Sequence, residues 1–471
     1  MSDSPPNPRQ LAFVALKAVH QGAYADVALH RVIVPALKSA DRRLLTELLY
    51  GSVRRLRTLD ALIDQFAKQR AGQQPPDLRT VLHLGLYQLR YLHHVPAAAV
   101  IHTTVELAKQ NHLSGLAGVV NAVLRQYMRA GRADPLLPLE DPTQRLGILH
   151  SYPDWIIQVW SDQLGMEATA QLCEYSNQSP HIDLRINPLR ADRPMVQAAL
   201  AAKGVITHPL PNLPQGLRVE GNIGPVPQLP GFAEGWWTVQ EASAQLVSHV
   251  LNPLPEAVVV DVCAAPGGKT THLAELMQGK GELWACDRTP SRLRKLQQNL
   301  DRLGLKNVNL WSGDSRQLPD QIPWADYLLL DAPCSGLGTL HRHADARWRQ
   351  TPESVLTLAQ LQSELLAGTA QRVKPGGELL YATCTLHPAE NEAVIAQFLQ
   401  NFPHWHSLPL SSNHFLTQAI PTQPTNAQIS AAQTSKNLNL TEITKPSIGC
   451  KIWPHQQGMD GFFLAHLCRA E

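Results

Sequence analysis

Apolar residues recur at helical spacing through the amino-terminal third of the chain. Between positions 41 and 56, Leu44, Leu45, Leu48, Leu49, Val53 and Leu56 form one stripe, with Arg42, Arg43, Arg54 and Arg55 mostly off it, the pattern of an amphipathic helix. Similar stretches at 9–19, 77–92, 97–109 and 116–128, broken at 72–76 and at Val95-Pro96, predict a helical bundle over residues 1–145, with a polar linker at 130–141. The pattern then changes. Helices at 154–164 and 167–177, an alternating strand Ile182–Ile186, a helix at 194–203 and a Pro/Gly-rich run at 209–231 predict a small α+β module over 150–235. From 236 to 471, strands at 257–262, 281–286, 307–311, 326–331 and 376–382 alternate with helices at 269–278, 289–303, 353–373 and 388–400, which predicts a Rossmann-like α/β domain. Residues 410–447 are polar and almost uncharged, a disordered surface insertion by composition. The apolar run 461–467 reads as a last strand returning to the sheet.

The 471 residues exceed one hydrophobic core, and 44% are hydrophobic, so a multidomain globular chain is expected. No apolar run approaches the roughly 18 residues of a membrane span, and residues 1–10 lack the apolar stretch of a secretory signal. Seven cysteines without a Cys-x-x-Cys pair argue against a disulfide scaffold and a zinc ribbon, and for a reducing cytoplasm. The net charge of +2 is uninformative, but residues 1–150 carry 18 Lys and Arg against 11 Asp and Glu. That excess suits either nucleic acid or a solvated helix face.

Candidate chemistry begins where strand 257–262 runs into Cys263-Ala264-Ala265-Pro266-Gly267-Gly268-Lys269 and a helix. Such a turn brings backbone N–H groups close to a ligand. It is a poor Walker A loop, because Cys263 replaces the first glycine and Pro266 removes a donor. Asp287 ends the next strand, placed for ribose hydroxyls; Asp314 follows the third, placed for an adenine amino group; Asp331 ends the fourth. These acids predict an adenosine-containing cofactor, with S-adenosylmethionine favoured over NAD.

Two cysteines follow adjacent strand ends: Cys334 in Asp331-Ala332-Pro333-Cys334-Ser335-Gly336 and Cys384 in Tyr381-Ala382-Thr383-Cys384-Thr385. One helix-sized segment separates them, so a parallel sheet would bring both thiols to its carboxyl edge, where open α/β sheets bind ligands. A thiolate is the strongest side-chain nucleophile near neutral pH, and a neighbouring thiol can exchange a proton with it. C5 methylation of cytosine calls for that pair, because C5 is inert until a nucleophile adds to C6. The remaining cysteines, Cys173, Cys286, Cys450 and Cys468, read as buried hydrophobes.

At these motifs the chain resembles the RNA cytosine-C5 methyltransferases of the RsmB type, also called Sun or Fmu. Positions 261–271 look like the family's cofactor motif, 331–338 its Pro-Cys motif and 381–385 its Thr-Cys motif. The amino-terminal region is similar to the antitermination factor NusB, including Asp41-Arg42-Arg43 and the run 118–125. The resemblance implies a NusB-like RNA-binding bundle, a small RRM-like module and a class I methyltransferase domain using S-adenosylmethionine. The implied product is 5-methylcytosine at cytosine 967 of 16S ribosomal RNA. It further implies that Cys384 attacks C6, that Cys334 helps remove the C5 proton, and that Lys269 favours the thiolate. Asp331 would hold the cytosine at N4 and N3, discriminating against uracil. Since the base must leave its stack, the implied substrate is single-stranded or loop RNA, naked or within a partly assembled subunit. Ala344 stands where the family usually has proline.

His341, Arg342, His343, Arg347, Trp348 and Arg349 follow the Pro-Cys motif; RNA contact and a plain surface loop are the alternatives there, while no metal and no membrane are expected. Arg292, Lys295 and Arg302 read as a solvated helix face. Two rival functions stand: an RNA-binding assembly protein, and a DNA cytosine methyltransferase, which would use the Pro-Cys thiol alone.

Overall fold

The computed structural model describes residues 7–34, 36–130, 134–136, 140–221, 223–410 and 448–471. The expected insertion at 410–447 lies outside them apart from Leu410. The chain forms two compact units, one of residues 1–178 with 340–349, the other of 179–339 with 350–471.

The first unit is helical. Pro8–His20, Ser39–Arg54, Pro76–Tyr91, Ala97–Gln110 and Ala117–Arg129 lie where the apolar stripes predict them, and Ala25–Val32 and Leu56–Phe66 are additional. The predicted helix at 41–56 ends at Arg55, where the backbone leaves helical geometry (φ −108°, ψ 17°) before Leu56–Phe66 begins. Leu45, Leu48, Leu49 and Val53 are fully buried in the core. Asp154–Tyr175 is one element interrupted at Gly165 (φ 76°), the point where the sequence separates two helices.

The segment for which RNA contact and a plain surface loop are the alternatives belongs to this unit. Ala346–Arg349 is a helical turn, and Ala344 lies in the helical core with no exposed surface. The Arg347 guanidinium, fully buried, donates to the carbonyls of Arg54 and Ser151 and to Asn177 Oδ1, at 3.3, 3.1 and 3.0 Å. Trp348 Nε1 donates to the Val53 carbonyl at 2.8 Å; Arg349 pairs with Asp345 and donates to the Ala23 carbonyl. Arg54, expected off the stripe, is buried and donates to the His341 carbonyl. Charge density suggests phosphate binding, but backbone carbonyls, Asn177 and Asp345 take the donors of Arg347, Trp348 and Arg349 instead.

In the second unit, β1 (Ile182–Ile186), β2 (Ile206–Pro209), β3 (Gly216–Glu220) and β4 (Trp237–Val239) form an antiparallel sheet ordered β2-β3-β1-β4. The sequence of β1 alternates, yet four of its five residues are buried.

The larger sheet adds β5 (Val258–Val262), β6 (Glu282–Asp287), β7 (Val308–Ser312), β8 (Ala325–Asp331), β9 (Val373–Thr383), β10 (Trp405–Ser407), β11 (Cys450–Ile452) and β12 (Phe462–Arg469). Its order is β10-β12-β9-β8-β5-β6-β7, with β11 on β12. Strands β5 to β9 pair in parallel, and β12 runs antiparallel to β9. The near-continuous apolar runs of β5 and β8 suit strands covered on both faces. One face packs on Leu246, Leu273 and Leu296, the other on Leu366, Ile395 and Phe398. The chain runs outward from β5 through β7, then crosses to β8 on the other side of β5. That reversal opens a crevice at the carboxyl ends, where such sheets bind ligands.

Candidate active site

The parallel register of β8 and β9 sets Asp331 opposite Ala382, and Ala332 N donates to the Ala382 carbonyl at 2.9 Å. Cys334 and Cys384 follow at similar distances past these partners. Their Sγ atoms lie 3.3 Å apart, both half-buried. Hydrogen bonding to Cys384, then burial, then the negative charges of Cys384 and Glu390 push the Cys334 thiol well above its usual value. Burial alone pushes Cys173 up to about 12, and Cys263 to about 12 with help from nearby aspartates, which leaves both inert. Cys173 and Cys286 are buried as expected, whereas Cys450 and Cys468 are only half-buried.

Lys269, in the first turn of helix Gly268–Leu276, pairs with Asp331 at 2.6 Å and lies 5.1 Å from the Phe462 ring centroid. Burial works against its charge, but Asp331 and then Cys384 outweigh it, and the ammonium is held above its usual value.

Glycine at 267 is forced (φ 102°): a Cβ there would lie 2.1 Å from Leu296 Cδ1. Gly338 is confined by close approach: its N–H donates to the Cys384 carbonyl at 2.9 Å, and a Cβ would lie 2.0 Å from the Gly461 carbonyl oxygen.

Beside the thiols opens a cleft lined by Cys263, Asp287, Gly313, Asp314 and Pro333, drawn from the ends of β5, β6, β7 and β8. Asp287 accepts from Ala265 N at 3.2 Å and Thr289 N at 2.8 Å, with Arg292 3.4 Å away. Asp314 is paired with Arg316 at 2.6 Å, which holds its carboxyl below the usual range. A cleft at the sheet's crossover, with Asp287 and Asp314 from successive strands on its wall, fits an adenosine cofactor. A second hollow, of about 440 Å³, lies at the opposite end of the sheet around Asp326, Lys374 and Gly376 and holds neither thiol.

Sequence reasoning missed several residues. Arg185, on β1, is fully buried, pairs with Glu275 at 2.7 Å and donates to the Gly268 carbonyl at 2.6 Å. Arg292 donates to the Ala265 carbonyl, and Arg302 to the Phe232 and Trp237 carbonyls at 2.8 and 3.0 Å; neither belongs to a purely solvated face. Glu390 and Asn391 are fully buried behind the cysteines. An acid and an amide at a helix entry are ordinary capping residues, so only their position six and seven residues after Cys384 hinted at more.

The model of the family described as 16S rRNA methyltransferase RsmB/F matches residues 248–468, the NusB family 6–129, and a ferredoxin-like domain of RsmF/B-like methyltransferases 152–226. The chain is 48% identical over 98% of its length to a probable ribosomal RNA small subunit methyltransferase B of Synechocystis, covering 99% of that protein. It is 32% identical to the Bacillus subtilis protein of the same name, covering 98% of each. The crystal structure of PH0851 is similar over 99% of both chains, with 28% identity and a TM-score of 0.77.

Proposed function

Because the chain belongs to the RsmB/F family of 16S rRNA methyltransferases, we propose that it methylates C5 of a cytosine in small-subunit ribosomal RNA, cytosine 967, through a covalent bond from Cys384 to C6. The observation that carries this reading is the 3.3 Å pair of thiols beside the Lys269–Asp331 ion pair. S-adenosylmethionine would supply the methyl group. Asp287 and Asp314 would hold its ribose and adenine, and the backbone of 263–268 with Lys269 and Asp331 would flank its remainder.

Cys384 attacks as the thiolate, the nucleophilic form of a thiol, with the charged Lys269 ammonium near it. Cys334 keeps its proton while it faces that thiolate, so the two thiols do not compete for the same role. Once Cys384 bonds to C6, its charge no longer opposes ionisation of Cys334, which can then lose its proton to water. Addition at C6 makes C5 electron-rich, and once C5 carries the methyl group that the cofactor would supply, Cys334 takes the proton left on C5. The C5–H electron pair becomes the C5–C6 double bond, and the C6–S pair returns to Cys384. The carboxylate of Asp331, supported by Lys269, accepts from N4 of the cytosine.

A loop or single strand is the natural substrate, since the base must leave its stack. The reaction belongs in the cytoplasm; among the described residues no helix is long and apolar enough to cross a membrane. The parts divide as bundle 1–145 for RNA selection, module 150–235 for support, and 236–471 for chemistry. Incubating the protein with methyl-labelled cofactor and unmethylated small-subunit RNA should yield label in 5-methylcytosine. Label in DNA alone, or in no nucleic acid, would contradict the proposal.

A further inference from the structure

The two cysteine loops are held from behind by one dipeptide. Glu390 Oε1 accepts from Ser335 N at 2.8 Å and from Gln362 Nε2 at 3.0 Å. Its Oε2 accepts from Ser335 Oγ, and from Thr385 Oγ1 at 3.1 Å. Gln362 Nε2 also donates to the Pro333 carbonyl at 2.9 Å, so both neighbours of Cys334 are tied to this carboxylate. Asn391 grips the other loop: Thr383 Oγ1 donates to its Oδ1 at 2.6 Å, and its Nδ2 donates to the Thr385 carbonyl at 3.0 Å. Both neighbours of Cys384 are thus tied to Asn391. The Tyr381 hydroxyl anchors the dipeptide by donating to the Glu390 carbonyl at 2.7 Å.

From this arrangement we propose that Glu390 and Asn391 are positioning residues for the two thiols, with Glu390 aligning Cys334 for release and Asn391 aligning Cys384 for attack. Neither touches substrate, and the assignment rests on the roles given to the cysteines above. A carboxylate suits the first task because all four of its partners are donors. A glutamine in its place would have to turn its N–H₂ group toward the Ser335 and Thr385 hydroxyls, which would then accept instead of donating and rearrange the network that holds the two loops. An amide suits the second task because Asn391 must accept from Thr383 and donate to the Thr385 carbonyl at once. The division follows from which loop each side chain holds at two points.

The arrangement makes an asymmetric prediction. Glu390→Gln should leave the cofactor Kd and the KM for RNA within about twofold, while kcat falls by about tenfold or more, the signature of a lost transition-state alignment. Slowed release should make protein–RNA adduct accumulate on a denaturing gel. Asn391→Ala should lower kcat as well but give less adduct than wild type, because attack itself is slowed. Gln362→Leu, which removes one of the four donors and the tie to Pro333, should repeat the Glu390→Gln pattern more weakly.

Calorimetric cofactor binding on each variant separates misfolding from misalignment. If Glu390→Gln unfolds, Gln362→Leu decides. Cys334→Ala run beside them tests the underlying assignment: adduct from Cys334→Ala without adduct from Glu390→Gln or Gln362→Leu overturns the positioning proposal alone. Absence of adduct from Cys334→Ala instead overturns the assignment of the thiols. Equal adduct from the Glu390 and Asn391 variants would also contradict the proposed division.

Discussion

Asp261 is fully buried at the end of β5, one carboxylate oxygen accepting from Thr270 at 2.6 Å and the other without a partner among the described residues. Burial, against the Thr270 hydrogen bond and aided by Asp331, pushes its carboxyl up to about 7. An unfolded aspartate ionises near 4, so the folded chain holds this proton more tightly than the unfolded one. Its contribution is therefore fullest below pH 4 and is lost as pH rises toward 7, at about 1.4 kcal/mol per unit of difference. Urea unfolding of the cofactor-free protein should show Asp261→Asn flattening the decline between pH 5 and 7; an unchanged slope would place the titration elsewhere. At Asp287 the expectation concerns binding. Asp287→Ala should weaken the cofactor by tenfold to a hundredfold, about 1.5–3 kcal/mol for lost charge-assisted hydrogen bonds. Calorimetry with unchanged affinity would refute its ribose role.

The parallel strands β5 to β9, the helices between them and the last strand β12 are legible in the sequence because each has a strong period and a clear boundary, whereas the short strands β10 and β11 and the helix Ala242–Leu251 are not. The apolar run 257–262 and the glycine turn after it locate β5 and its crevice almost to the residue. Strand β3, inside the Pro/Gly-rich run at 209–231, is not legible, because its pairing with β1 and β2 outweighs weak local preference. The thiol pair is legible as a pair, since strand ends and spacing carry it. The Glu390 and Asn391 contacts are not, because they depend on side chains meeting across loops. The segment Leu340–Arg349 misleads for another reason: two histidines, three arginines and a tryptophan look like a nucleic-acid loop. Its chemistry serves packing instead. Arg347→Met should destabilise the helical unit by about 2–4 kcal/mol, since several buried acceptors lose their donor. A change in the denaturation midpoint too small for that figure would show that water replaces the guanidinium.

For the whole molecule, the basic balance of residues 1–150 remains visible on the surface of the helical unit. Arg42, Arg43, Arg125 and Arg129 are exposed, unlike the arginines at 54 and 347. Charge reversal at these four positions should weaken RNA binding and reduce the salt slope by about one for each phosphate no longer neutralised, with cofactor affinity unchanged. An unaltered slope would assign this surface to something other than RNA. A truncation near Ser151 is a poorer test, because it strips the helical core from Ala344 and Trp348. The central claim, however, concerns the thiols. It is tested most directly by incubating Cys384→Ala and Cys334→Ala with cofactor and target RNA and resolving both on one denaturing gel. The account predicts a slow-migrating protein–RNA band from Cys334→Ala, dependent on cofactor and on Cys384, and none from Cys384→Ala. An adduct from Cys384→Ala alone would contradict it and make Cys334 the nucleophile.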